Sequence, residues 1–114
     1  MVDLSLGENY GMDLMVGDRI AIPLLESNSF PNLRRLSLDY AGVTAETLGV
    51  IANRSNFPEL RELSFNGNRA SEETVRGTLE SDRLPKLRRF SAVNTTGMRN
   101  RPKLVREYGN RVKV

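Results

Sequence analysis

The sequence predicts an α/β solenoid: a right-handed stack of repeats with about five short parallel strands on a concave side and helices on a convex side. Three observations predict it. The phrase FPNLRRLSLDY at residues 30–40 returns as FPELRELSFNG at 57–67 and as LPKLRRFSAVN at 84–94, a period of 27 residues. Periods of this size belong to stacked supersecondary units, each too small to bury its own apolar edge. Within every copy an apolar trio holds fixed places: Leu33, Leu36, Leu38; Leu60, Leu63, Phe65; Leu87, Phe90, Ala92. The last two members of each trio alternate with polar residues, the period-two pattern of a short strand with one buried face. Between the phrases lie stretches with helical spacing and helix-capping residues. Strands that recur in one sense after each helix run parallel.

The elements follow in order. VDLSLG at residues 2–7 supplies a first strand through Leu4 and Leu6. A short helix near residues 18–26 comes next, irregular around Pro23 because proline removes a backbone donor. After the second strand, Thr44 is placed to cap a helix carrying Leu48, Ile51 and Ala52. Ser71 is placed to cap the next, with Glu72 and Glu73 in its first turn, where carboxylates suit the positive end of the helix dipole. Val75 and Leu79 stand 27 residues after Leu48 and Ala52. The last helix runs from Pro102 to Tyr108, bounded by Gly109, both familiar boundary signals. RVKV at 111–114 gives a fifth strand through Val112 and Val114. The whole chain, 1–114, reads as one domain with repeats at about 1–29, 30–56, 57–83 and 84–114.

LRRLSLDYA and LRELSFNGN resemble leucine-rich repeats, and the 27-residue length with a helical outer side is similar to the ribonuclease-inhibitor-like subfamily. The closing LVREYGNRVKV is similar to the tail of bacterial proteins of this kind. The resemblance implies a horseshoe segment whose strand face binds a protein partner. It also implies an asparagine bonded to backbone in the turn after each strand. Asn9 and Asn68 match that asparagine; Ala41 and Thr95 depart from it, which weakens the expectation of a rigid turn in those two copies.

Composition narrows the function. The chain has no histidine and no cysteine, so disulfides, thiolate metal sites and histidine-activated nucleophiles are excluded. The longest apolar run, Ile20–Leu25, is interrupted by Pro23, too short for a membrane span. These features place the protein in the cytoplasm as a non-enzyme without metal or cofactor. The net charge of +3 conceals a gradient: residues 85–114 hold nine Lys/Arg against Glu107 alone, while residues 1–84 are acidic.

The polar strand positions form columns at the ~4.8 Å spacing of neighbouring strands. The first reads Asp3, Arg35, Glu62, Arg89; the second Ser5, Ser37, Ser64, Ser91; the third Gly7, Asp39, Asn66, Val93, followed by Glu8, Tyr40, Gly67, Asn94. Arg35, Ser37, Asp39, Tyr40, Glu62, Ser64, Asn66, Arg89 and Ser91 are the partner-binding candidates. Alternating signs in the first column also suit a ladder that neutralises itself, and Tyr40 is either an interface anchor or a cover for its neighbours. A row of Arg34, Arg61 and Arg88 forms an anion-facing edge unless Glu59, Glu62 or a helix end neutralises it. The favoured function is a non-catalytic protein-interaction module; the alternative is nucleic acid or another polyanion at the basic C-terminal end. Met1 stands almost at the first strand, so the sequence reads either as the end of a longer repeat protein or as a chain that self-associates through that edge strand.

Overall fold

The computed structural model describes residues 3–5, 17–27, 30–53 and 57–114. Its strands are β1 (Asp3–Ser5), β2 (Arg35–Ser37), β3 (Glu62–Ser64), β4 (Arg89–Ser91) and β5 (Val112–Lys113). Between them run the helices α1 (Gly17–Ser27), α2 (Ala45–Asn53), α3 (Glu72–Leu79) and α4 (Arg101–Tyr108), and a 3₁₀ turn at Gly109–Arg111 leads into β5. The strands form one open, wholly parallel sheet in chain order. The radius of gyration is 13.0 Å, the ~13 Å of a compact globule of this length.

Register follows the repeat. Leu4, Leu36, Leu63, Phe90 and Val112 align across the five strands. The three apolar trios are buried and share one core with Leu48, Ile51, Val75, Leu79 and Leu104 from the helices. One face of the sheet is thus sealed by helices, each packed on the next, and the other carries the polar columns. Phe30 stacks on Phe57, ring centroids 5.4 Å apart, so the aromatic opening of the phrase forms a column of its own.

The turns after β2, β3 and β4 each carry a left-handed residue at one repeat position: Tyr40 (φ 53°), Gly67 (φ 70°) and Asn94 (φ 58°). A tyrosine there is strained, and its ring lies directly over the next copy. A Cβ built on Gly67 would come within 2.2 Å of the Tyr40 ring, so glycine is needed there for space as well as for conformation.

Asn68 does what the resemblance implies. Buried, its Oδ1 accepts from the Ala41 and Val43 N–H groups at 3.2 and 3.3 Å, and its Nδ2 donates to the Leu38, Phe65 and Asn66 carbonyls. The Ala41 turn is therefore held by the asparagine of the following copy, and at the next copy Thr95 Oγ1 donates to the Phe65 carbonyl at 3.0 Å. The doubt over rigidity at Ala41 and Thr95 is corrected: both turns are tied across the repeat. Asn9, Gly7 and Glu8 lie outside the described residues.

The helices are joined in the same way. Burial pushes the Asp18 carboxyl up, but hydrogen bonds from the Thr44 and Thr47 hydroxyls and backbone outweigh it and hold the carboxyl below its ordinary value. Asp18 Oδ1 accepts from Thr44 N at 2.9 Å and Oδ2 from Thr44 Oγ1 at 2.6 Å, so a carboxylate on α1 braces the N-terminus of α2. Glu72 does the same for α4, accepting from the Arg99 and Asn100 N–H groups. Asp18, Ala45 and Glu72 share one repeat position; the copy with alanine leaves α3 to its own cap, Ser71 Oγ accepting from Thr74 N. Pro23 sits inside a continuous α1, so the proline does not end the helix.

Candidate functional site

The exposed face of the sheet is built from two adjacent sets of side chains with opposite fates. In the first column Arg35 Nε lies 3.3 Å from Glu62 and 4.0 Å from Asp3, and Arg89 Nη1 lies 3.5 Å from Glu62. The register Asp3–Arg35–Glu62–Arg89 therefore forms the self-neutralising ladder. Such exposed pairs contribute about 0–1 kcal/mol each.

The serine column and the residues beyond it are stitched to one another. Asp39 Oδ1 accepts from Ser64 Oγ at 2.6 Å and from Asn66 N at 2.8 Å. One rung on, Asn66 Oδ1 accepts from Ser91 Oγ at 2.6 Å and from Val93 N at 2.7 Å. The pattern repeats because the residue two after each strand serine reaches over to the following strand. Ser64, Ser91, Asp39 and Asn66 thereby form a small, fixed polar floor, and Ser37 continues it toward β1. Tyr40 is 39% exposed and spans two rungs, its hydroxyl accepting from Asn94 Nδ2 at 3.4 Å.

The arginine row behaves differently. Arg34, Arg61 and Arg88 precede the strands, and their main chains are laddered: the Arg34 carbonyl accepts from Arg61 and Glu62 N–H, and the Arg61 carbonyl from Arg88 and Arg89 N–H. Backbone bonding thus fixes three guanidinium stems side by side. Among the described residues, none of the three guanidiniums makes a hydrogen bond or ion pair. The expected internal neutralisers are engaged elsewhere: Glu62 with Arg35 and Arg89, Glu59 with Lys86 Nζ at 2.8 Å. The Lys86 hydrogen bond holds the Glu59 carboxyl below its ordinary value, and the fields of Arg61 and Arg34 act in the same direction. Arg34, Arg35, Arg61, Glu62, Arg88 and Arg89 together line one cleft of about 250 Å³, with five guanidiniums and a single carboxylate.

Two more depressions adjoin it. One of about 370 Å³ lies over β1–β3 and includes Arg35, Ser37 and Glu62; one of about 290 Å³ lies over β3–β5 and includes Glu62, Arg89 and Lys113. Arg35, Glu62 and Arg89 are shared walls, so the three make a continuous trough along the sheet.

The basic C-terminal end is less free than its charge suggests. Arg101 donates to the Thr95 carbonyl, Arg111 to the Leu79 and Leu87 carbonyls, Lys86 to Glu59, and Arg89 to Glu62. What sequence reasoning missed is the bracing role of Asp18 and Glu72 and the pairing of Glu59 with Lys86. The last was legible, since the two residues stand one period apart. No family model matches the chain, and no curated protein matches it. Among the described residues, no helix is long and apolar enough to cross a membrane.

Proposed function

We propose that this chain is a leucine-rich-repeat-like solenoid segment that works as a non-catalytic protein-interaction module, holding a partner in the trough over β1–β5. The reading rests on one observation above all. Three adjoining depressions tile the exposed sheet face, over a floor whose polar groups are tied to one another and whose underside is a packed core. A rigid, preorganised surface loses little conformational freedom on binding, and the exposed Tyr40, next in sequence to Asp39 of the polar floor, is the type of residue that anchors interfaces. Repeat length and the Asn68 network support the leucine-rich-repeat reading.

The polyanion alternative is supported only by Arg99, Lys103, Arg106 and Lys113, which make no ion pair among the described residues. The engagement of Lys86, Arg89, Arg101 and Arg111 within the molecule weighs against it. The two readings separate in a capture experiment from native lysate using immobilised protein. Arg35→Ala and Tyr40→Ala are expected to abolish specific capture, while Lys103→Gln/Arg106→Gln leaves it intact. Capture that survives the face variants and disappears with the α4 pair, with a steep fall in salt, overturns the proposal in favour of the polyanion.

A further inference from the structure

We infer that the partner held in this trough is a phosphorylated protein segment whose phosphate seats among the Arg34, Arg61 and Arg88 guanidiniums. The inference deepens the interaction-module reading and rests on it. Three features of the cleft carry it. First, five of its six lining residues are arginines, and the planar fork of five donors matches phosphate oxygens bidentately. Second, the row makes no ion pair among the described residues: the cleft's one carboxylate, Glu62, is engaged by Arg35 and Arg89, and Glu59, whose carboxyl feels the fields of Arg61 and Arg34, is bonded to Lys86. A carboxylate brings one negative charge and two oxygens; a phosphomonoester brings close to two charges and three acceptor oxygens, enough to meet three forks at strand spacing. Third, the cleft is compact. Its volume of about 250 Å³ leaves room for a phosphate and the side chain that carries it. The shared walls Arg35 and Arg89 lead into the trough, where the rest of an extended peptide can lie. A bare anion would leave that trough unused.

The experiment uses three probes at one ionic strength, titrated calorimetrically into the whole chain: capped Gly-phosphoserine-Gly, capped Gly-Glu-Gly and inorganic phosphate. The phosphotripeptide is expected to bind at least tenfold more tightly than the glutamate peptide and more tightly than inorganic phosphate. Arg61→Gln and Arg88→Gln are each expected to weaken it at least fivefold. Lys103→Gln, a basic position outside the cleft, changes it less than twofold, and Glu59→Gln tightens it by removing a carboxylate that feels the fields of Arg61 and Arg34. Binding also falls as pH drops through about 6, where the phosphate takes up its second proton while arginine stays charged. Arg88 is exposed, so its variant keeps the test valid if the half-buried Arg61 proves necessary for folding.

Equal affinity for the phospho- and glutamate peptides overturns the inference, as does an equal loss with Lys103→Gln and Arg88→Gln. Inorganic phosphate binding as tightly as the phosphotripeptide overturns the protein partner as its source. If the phosphotripeptide fails while Arg35→Ala and Tyr40→Ala still abolish capture, the interaction-module reading stands and only the phosphate is lost.

Discussion

Arg35 and Arg89 differ from Arg34, Arg61 and Arg88 by a single step along the chain, and the step decides what each charge does. The first pair lies in a strand column whose alternate member is glutamate, so each meets an opposite charge at 3.3–3.5 Å. The second set occupies a position that reads arginine in all three copies. A repeat places identical side chains in line at strand spacing, so a residue type kept in every copy concentrates its charge, and one that alternates cancels it. The same backbone ladder therefore carries a neutral column and a cationic one side by side.

The sharpest way to break the contrast is to remove the core beneath both columns. Leu63 is 1% exposed, and Leu63→Ala is expected to destabilise by about 4 kcal/mol in denaturant melts; a neutral result would mean that the strand does not hold either column in place. Asn68→Ala comes next. It strips buried partners from Ala41, Val43 and Leu38, and an orphaned buried group costs about 1–3 kcal/mol. The expected loss is about 3 kcal/mol, again by denaturant melts.

Acid separates the helix braces from the surface columns. The folded-state value for Asp18 lies below its ordinary one, so its contribution is present above about pH 4 and disappears as pH falls through the lowered value. Stability measured from pH 5 down to pH 2 is expected to fall less steeply in Asp18→Asn than in the parent chain. An unchanged slope would show that Asp18 is not bound more tightly in the folded state.

The smallest effects sharpen the comparison itself. Glu62→Gln leaves Arg35 and Arg89 beside each other without their shared partner, and is expected to lower stability by about 0–1 kcal/mol. Arg61→Gln relieves repulsion instead and is expected to be neutral or slightly stabilising. Arg61→Gln should therefore leave the thermal midpoint at or above that of the parent chain, and Glu62→Gln at or below it. A clear loss with Arg61→Gln would mean that the row is neutralised internally after all.

Much of this was legible in the sequence. The trios at Leu33, Leu60 and Leu87 set the strands, their register and the buried face, because a period of two inside a period of 27 leaves one consistent arrangement. Ser71 and Gly109 marked helix boundaries by ordinary capping chemistry. The Asp18 and Glu72 braces were not legible: each reaches a different copy, and a carboxylate in a first helical turn usually answers its own helix. The choice made by Glu62 was legible in part: the alternating column Asp3, Arg35, Glu62, Arg89 already set it beside Arg35 and Arg89, while the Arg34, Arg61, Arg88 row offered a second use that side-chain geometry does not take. The left-handed conformation of Tyr40 had a signal that was overlooked, namely Gly67 and Asn94 at the same repeat position, the two residue types that accept positive φ most readily.

Asn68, Asp18 and Glu72 each reach out of their own copy into a neighbouring one. A lateral strut of that kind has a mechanical meaning: no unit can loosen without withdrawing support from the unit beside it. Pulled from one end, such a molecule resists as a laced seam does, and amide exchange near Ala41 and Thr44 should slow or quicken together with changes made a whole copy away.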